Sequence, residues 1–302
     1  MWKNLFDGFR AAETARVAVF MSGSGTNAAA LLEYRRRHPE CGFEPVAIVT
    51  DAPESSRAYE LGGTFGVPVA ALDIRRFYRE RGEASITLDT ARRREIREEW
   101  SVALGEMVAP FRPGFGVLAG FVPLTNLTAS LPCLNVHPGD LTLEAGGRRL
   151  LAGLHIRPVE RAILEGHRAL RSSVILAQAY TGNGRGEMDS GPVLGISRPV
   201  AVDLEGLSLA ELRAIDAARG GAPYRDRLRT LALANLERLK FDGDHRVLPP
   251  VVADFARGRF ARSETGALGY RPEGEETFRT VKTVEYGGAH PVPVEPDAET
   301  MA

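Results

Sequence analysis

Residues 134–141, with the sequence LNVHPGDL, place an amide and an imidazole two positions apart, at Asn135 and His137. On a β-strand successive side chains point to opposite faces, so these two side chains share one face. Pro138 lacks a backbone donor, which predicts that the strand ends here. Open α/β sheets carry their sites at the carboxyl ends of strands, and this pair could donate hydrogen bonds and move a proton there. A structural pair without catalytic function is the alternative for these two residues alone.

A glycine-rich loop, GSGTN at residues 23–27, is the second candidate site. Gly23 and Gly25 can adopt backbone angles closed to other residues, which lets N–H groups converge on an anion at a helix N-terminus. The loop lacks the Walker lysine and the three-glycine dinucleotide spacing, so it predicts a single bound phosphate. A helix start that binds nothing is the alternative. Three polar side chains add donors or caps: Ser24, Thr26 and Asn27.

A carboxylate at Asp189 is the third candidate. It follows the glycine-rich segment YTGNGRGE and precedes Ser-Gly-Pro and a β-branched run, which predicts a turn leading into a strand. An ordinary turn aspartate is the alternative interpretation. Together with the anion loop and the Asn-x-His pair, it outlines a polar site with a donor, a titratable ring and a carboxylate.

Composition restricts the classes of function. The chain has 302 residues, 44% of them hydrophobic and 25% charged, and can therefore bury a large core. Its 38 Lys and Arg against 39 Asp and Glu give a formal net charge of −1, which argues against nucleic acid as a partner and favours a small ligand. Cys41 and Cys133 lie far apart without metal-ligand spacing. No signal peptide or membrane span is evident, so a cytoplasmic protein that does not bind membranes is expected.

The elements alternate between strands and helices, which predicts an α/β, Rossmann-like fold with a mostly parallel sheet. Predicted strands cover 16–22, 44–51, 67–73, 114–121 and 131–138, with helices between them. Outside this pattern, residues 1–15 could form a short helix that docks Trp2, Leu5 and Phe9. Residues 263–302 could add strands within 277–286 before a disordered acidic end.

Five ordered motifs resemble those of the folate-dependent formyltransferases, above all the glycinamide ribonucleotide enzymes. They are RVAVFMSGSGTNAAALL, GVLAGFVPLTNL, LNVHP, MDSGPVL and DHRVLPPVVADFARGRF. The resemblance implies a formyltransferase domain over residues 16–262, with 1–15 and 263–302 as extensions. It implies transfer of a formyl group from 10-formyltetrahydrofolate to the amine of a small phosphorylated acceptor, and a homodimer is one assembly to test. The histidines do not cluster with cysteines or carboxylates at ligand spacings, so no catalytic metal is expected.

The resemblance also assigns roles to individual residues. Asn135, His137 and Asp189 would be the catalytic set. The glycine loop at 23–27 would hold the phosphate of the acceptor, and Asp244 stands where the glycinamide enzymes carry a glutamate that contacts substrate. The apolar segment around Gly120, where a flat ring could approach closely, would form the folate wall with Leu118, Phe121, Val122 and Leu124.

Several departures from the family pattern surround the acceptor side. Pro123 stands where the glycinamide enzymes usually carry an arginine. An insertion near 142–152 is expected to form a hairpin that turns at Ala145-Gly146-Gly147, and the helical segment 204–243 is longer than usual. The acceptor amine could therefore differ from glycinamide ribonucleotide.

Three functions are compatible with the sequence. The first is the transferase, acting on glycinamide ribonucleotide or a related phosphorylated amine. The second is a hydrolase that releases formate from the same folate, although such enzymes usually carry a regulatory domain that 15 N-terminal residues could not supply. The third is a non-enzymatic folate or nucleotide sensor, against which the intact Asn, His and Asp argue.

Overall fold

The computed structural model describes residues 1–6, 14–153, 156–180, 188–220 and 224–296. Its strands are β1 (Trp2–Asn4), β2 (Ala15–Met21), β3 (Phe43–Thr50), β4 (Val69–Ala71), β5 (Phe115–Leu118), β6 (Cys133–His137), β7 (Glu144–Ala145), β8 (Arg148–Arg149), β9 (Ala169–Leu170), β10 (Ser173–Leu176), β11 (Val193–Ser197), β12 (Val200–Ala201), β13 (Phe260–Ser263), β14 (Leu268–Tyr270), β15 (Arg279–Thr280), β16 (Thr283–Tyr286) and β17 (Val292–Val294). Its α-helices are α1 (Thr26–Arg37), α2 (Ala58–Phe65), α3 (Ile74–Arg79), α4 (Ala91–Val108), α5 (Arg157–Glu165), α6 (Leu209–Ala217), α7 (Arg227–Leu239) and α8 (His245–Ala256).

A nine-stranded sheet forms the centre of the molecule, in the order β17-β16-β11-β10-β6-β5-β2-β3-β4. Five adjacent strands run parallel to one another: β4, β3, β2, β5 and β6. The next strand, β10, is antiparallel to both β6 and β11. Helices cover the sheet, so β2, β3 and β5 are almost wholly buried and their sequences are continuous apolar runs. The predicted fold class, an α/β protein with a mostly parallel sheet, is confirmed.

The parallel strands bring three loops to one edge of the sheet. The register of β2, β5 and β6 aligns Phe20 with Leu118 and Leu118 with Asn135. The chain segments that follow these strands therefore leave the sheet side by side. They are the glycine loop, the segment after Leu118 and the segment after His137.

The described part of the predicted N-terminal helix, residues 1–6, is not helical. Residues 2–4 form β1, which pairs antiparallel with β13, and Phe6 is buried in the main core. The strand forms because a distant edge offers it backbone partners, which local periodicity cannot reveal. Phe9 lies outside the described residues.

Two other predicted segments differ in extent. The strand predicted over 114–121 ends at Leu118, because Gly120 takes a left-handed φ of 82° and turns the chain. Beyond residue 262, β16 pairs parallel with β11 and antiparallel with β17, so part of the C-terminal segment extends the central sheet. The predicted acidic end, 297–302, lies outside the described residues.

Both insertions contain regular secondary structure, although residues 221–223 of the second lie outside the described residues. The predicted hairpin is present as β7 and β8, with Gly146 and Gly147 at positive φ between them, as a tight hairpin turn requires. The long segment 204–243 supplies α6 and α7, which pack with α5 around a separate apolar cluster. None of the described helices is both long and apolar enough to cross a membrane.

We expect Phe6→Ala to lower the free energy of unfolding by about 3–5 kcal/mol, because it empties a buried aromatic site. The Phe6 ring lies 5.2 Å from the Phe115 ring and 5.6 Å from the Phe255 ring, centroid to centroid. Urea unfolding measures the change. The matched control is Phe241→Ala, at an exposed phenylalanine, which should cost less than about 1 kcal/mol. Equal effects of the two variants would contradict a core role for the N-terminal segment.

Candidate active site

The structure brings Asp189 against Asn135 and His137, which share one face of β6. Asp189 lies in a 3₁₀ turn, Met188–Ser190, that precedes β11. The Nδ2 of Asn135 donates to Oδ1 of Asp189 at 3.4 Å, and Nδ1 of His137 lies 3.6 Å from Oδ2 of the same carboxylate. The convergence expected from the sequence is confirmed, and the catalytic roles remain predictions.

The imidazole of His137 is held on both sides. The residue is 3% exposed, and its Nε2 lies 2.7 Å from the carbonyl oxygen of Leu151. A carbonyl oxygen only accepts hydrogen bonds, so Nε2 must carry the hydrogen. The nitrogen that faces Asp189, Nδ1, is therefore the one that can gain or lose a proton. The distance of 3.6 Å between Nδ1 of His137 and Oδ2 of Asp189 is long for a hydrogen bond. Catalytic pairs are often this far apart and shorten when a ligand binds.

The turn that carries Asp189 is held by an arginine from the inserted hairpin. Nη1 of Arg149 donates to the carbonyl oxygen of Asp189, and Nη2 donates to that of Gly191 at 2.7 Å. The Arg149 side chain is only 17% exposed, and burial lowers the pKa of its guanidinium, while the charge of Glu144 opposes that shift. Gly191 has no room for a side chain, because a Cβ there would overlap the carbonyl oxygen of Leu176. The backbone of the turn is thus fixed from two directions.

The glycine loop leads into α1 with an uncapped helix start. Gly25 is the N-cap residue at φ 66°, and a Cβ there would overlap the end of the Met21 side chain. Among the described residues no side chain caps the helix, so the N–H groups of its first turn are free of that partner. Ser24 is exposed, while Gly23 and Thr26 are partly exposed. An anion could satisfy these donors.

Asn27 and Asp244 are joined behind the glycine loop. Asp244 is 4% exposed; its Oδ2 accepts from Nδ2 of Asn27 at 2.9 Å and its Oδ1 accepts from the hydroxyl of Ser172. Burial raises the pKa of the Asp244 carboxyl, while the hydrogen bonds from Ser172 and Asn27 oppose that rise. Both carboxylate oxygens of Asp244 are therefore engaged within the protein, and its predicted substrate contact remains a prediction. The Oδ1 of Asn27 is buried, and no described residue gives it a hydrogen bond.

The predicted folate residues fall into two groups. Leu118 and Phe121 are buried in the core, where the Phe121 ring stacks on that of Trp100. Gly120 is exposed, with no atom within 4 Å of an added Cβ, and Val122 is 50% exposed. Leu124 is partly buried against the same core. The core residues can support this segment from behind, whereas the exposed pair faces open space.

Three contacts that position the loops were not expected from the sequence. Arg97 of α4 is buried and donates to the carbonyl oxygens of Leu124, at 3.0 Å, and Ile86, at 2.7 Å. The hydroxyl of Ser22 accepts from the backbone N–H of Val122 at 2.8 Å. Arg97 and Arg149 both lie in arginine-rich runs that are typical of exposed surface, so no local signal marked them.

The described residues contain no group of three or more His, Cys, Asp or Glu side chains that could hold a metal ion. Burial raises the pKa of the Cys133 thiol to about 12, which leaves it protonated at neutral pH. The ionisable groups in contact within the candidate site include the His137 imidazole and the Asp189 carboxylate. The arrangement can therefore donate hydrogen bonds to an oxygen and exchange a proton at His137.

Solved structures share this fold, whereas no family model and no curated protein matches the sequence. A glycinamide ribonucleotide transformylase from Symbiobacterium toebii is 21% identical with a TM-score of 0.55, over 87% of this chain and 95% of that chain. A phosphoribosylglycinamide formyltransferase from Bacillus halodurans is 22% identical with a TM-score of 0.51, over 79% and 93%. One from Coxiella burnetii is 17% identical with a TM-score of 0.53, over 85% and 93%. The chain therefore has a formyltransferase-like fold.

We expect ¹⁵N NMR of His137 to show a hydrogen on Nε2 in the neutral ring, because Leu151 offers only an acceptor. Gly139→Ala should weaken this preference, since its Cβ would lie 2.7 Å from the Leu151 carbonyl oxygen and 3.1 Å from Nε2. The control is Gly63→Ala, at an exposed helical position of α2 where no described atom lies within 4 Å of an added Cβ. A neutral ring with its hydrogen on Nδ1 in the unmodified protein would contradict this geometry.

Proposed function

We propose that the protein transfers a formyl group from 10-formyltetrahydrofolate to the amine of a small phosphorylated acceptor, glycinamide ribonucleotide or a related amine. One observation carries the proposal. The Asp189 carboxylate lies within 3.6 Å of both the Asn135 amide and the His137 imidazole, on one face of β6. The formyltransferase-like fold supports the same conclusion.

The chemistry suits these three groups. In formyl transfer the amine nitrogen bonds to the formyl carbon, the bond from that carbon to N10 breaks, the amine loses a proton and N10 gains one. Negative charge develops on the formyl oxygen, so preorganised donors are the main source of rate enhancement. The Nδ2 group of Asn135 is one such donor. Nδ1 of His137 can hold or release a proton, and Asp189 stabilises its protonated form.

The segment after β5 is the proposed donor site. Gly120 and Val122 present open space and exposed apolar surface, and Leu118, Phe121 and Leu124 support them from the core. This combination fits one face of a flat ring. Arg97 fixes the backbone of the segment through the Leu124 carbonyl, and so it would keep the wall in place while a ligand binds.

The glycine loop is the proposed phosphate site for the acceptor. The uncapped first turn of α1 offers N–H donors, and the helix dipole favours an anion there. Asn27 contributes through its backbone position rather than through its amide nitrogen, which donates to Asp244. The loop and the His137 segment follow strands that are separated only by β5, so one acceptor could reach both.

We expect Asn135→Ala to lower kcat by about a hundredfold to a thousandfold, as for the loss of one oxyanion donor. His137→Ala and Asp189→Asn should also lower kcat strongly, because they remove the proton carrier or its charged partner. Absorbance of the folate, followed with 10-formyltetrahydrofolate alone and then with glycinamide ribonucleotide or other phosphorylated amines, measures the rates.

His38→Ala is the matched control, because that histidine is exposed at the opposite end of α1 from the glycine loop. It should leave all rates unchanged. Consumption of the folate at the same rate without any amine would identify a hydrolase instead. No consumption with or without amines, despite folate binding, would support a sensor and overturn the proposed transfer.

A further inference from the structure

The inserted hairpin touches both sides of the His137–Asp189 pair. Leu151, just after β8, accepts the hydrogen bond from Nε2 of His137 at 2.7 Å. Arg149, in β8, donates to the backbone of the turn that carries Asp189. One short segment of the chain therefore sets the position of the imidazole and of the carboxylate that faces it.

We propose that Arg149 is a positioning residue that holds the Asp189 carboxylate against Nδ1 of His137. The inference rests on the proposed function, since it assigns to the insertion a part in the transfer step. From the sequence alone, the insertion was expected to alter the acceptor pocket.

The hydrogen bonds of Arg149 support positioning rather than ligand binding. Its two terminal nitrogens are directed at carbonyl oxygens of the protein, those of Asp189 and Gly191, and Glu144 lies 3.6 Å from its Nε. The side chain is mostly buried. Two of the five N–H groups of the guanidinium are thus engaged by the turn, and the Glu144 carboxylate beside it would repel an incoming phosphate.

The two contacts of Arg149 fix the turn more tightly than one contact could. The two hydrogen bonds go to the carbonyl oxygens of the residues before and after Ser190. The backbone between these two carbonyls can neither rotate nor shift without breaking a charge-assisted hydrogen bond. The Asp189 side chain leaves the backbone at the Cα atom bonded to the first of these carbonyls. Small displacements of a reacting group can cost about a hundredfold in rate, so loosening the turn should affect kcat.

The neighbouring residue provides a matched control. Arg148 belongs to the same strand and is exposed, and successive strand residues point to opposite faces. Arg148→Ala removes the same charge and chain length without touching the turn. Arg149→Lys keeps the charge but cannot make the two-pronged contact, because an ammonium group lacks the planar fork of a guanidinium.

We expect Arg149→Ala and Arg149→Lys to lower kcat by about tenfold to a hundredfold while the KM values for folate and amine change less than about threefold. Hydrogen exchange of the backbone amides from 188 to 194 should become faster in both variants. Arg148→Ala should change neither quantity. Thermal unfolding of all three variants checks that the fold is retained.

Three results would overturn the inference. A raised KM for the amine with unchanged kcat would make Arg149 an acceptor-binding residue. Unchanged amide exchange at 188–194 in Arg149→Ala would show that it does not hold the turn. Full rescue by lysine would mean that charge alone matters. Absence of transfer by the unmodified protein would instead refute the proposed function, and the exchange measurement would still decide whether Arg149 holds the turn.

Discussion

The hydrogen bond between Nε2 of His137 and the carbonyl oxygen of Leu151 is the interaction on which the candidate site depends. It fixes the ring orientation and assigns the exchangeable proton to Nδ1, the nitrogen that faces Asp189. The bond requires the chain to return over the end of β6, and it requires Gly139, whose Cβ would press on the same carbonyl. The Ser173 hydroxyl, which donates to the Gly139 carbonyl at 2.8 Å, holds this return in place.

The sheet supplies the rest of the geometry. Parallel strands end at one edge, so the glycine loop, the segment around Gly120 and the Asn-x-His pair become neighbours although they are far apart in sequence. The antiparallel strand β10 pairs with β6 and β11, and the turn that precedes β11 places Asp189 against Asn135 and His137. Buried polar contacts, such as Asn27 to Asp244 and Arg97 to Leu124, connect the loops to the helices behind them.

Local patterns predicted the parts of the structure that local interactions decide. The apolar runs gave the central strands, and Gly146 and Gly147 marked the hairpin turn. The prediction of a helix was wrong for residues 2–4, because β1 forms by pairing with β13, near the other end of the chain. The roles of Arg149 and Arg97 could not be predicted, since an arginine among other arginines has the same sequence signature on a surface and beneath a loop. The resemblance put Asp244 at a position of substrate contact. Only the structure shows that its two carboxylate oxygens accept hydrogen bonds from Asn27 and Ser172.

Replacing residues 144–149 with Gly-Gly tests most directly whether the inserted hairpin belongs to the catalytic apparatus. The backbone N–H of Leu150 donates to the carbonyl oxygen of Leu143 at 2.9 Å and closes the base of the hairpin. After the replacement the sequence Leu-Gly-Gly-Leu would be a four-residue turn that the same bond can close, so the shortened chain keeps Leu151. We expect the shortened protein to transfer the formyl group with a kcat lower by about tenfold to a hundredfold, while both ligands bind with nearly unchanged Kd. Unchanged kcat with lost affinity for the amine would contradict it and would make the hairpin part of the acceptor pocket alone.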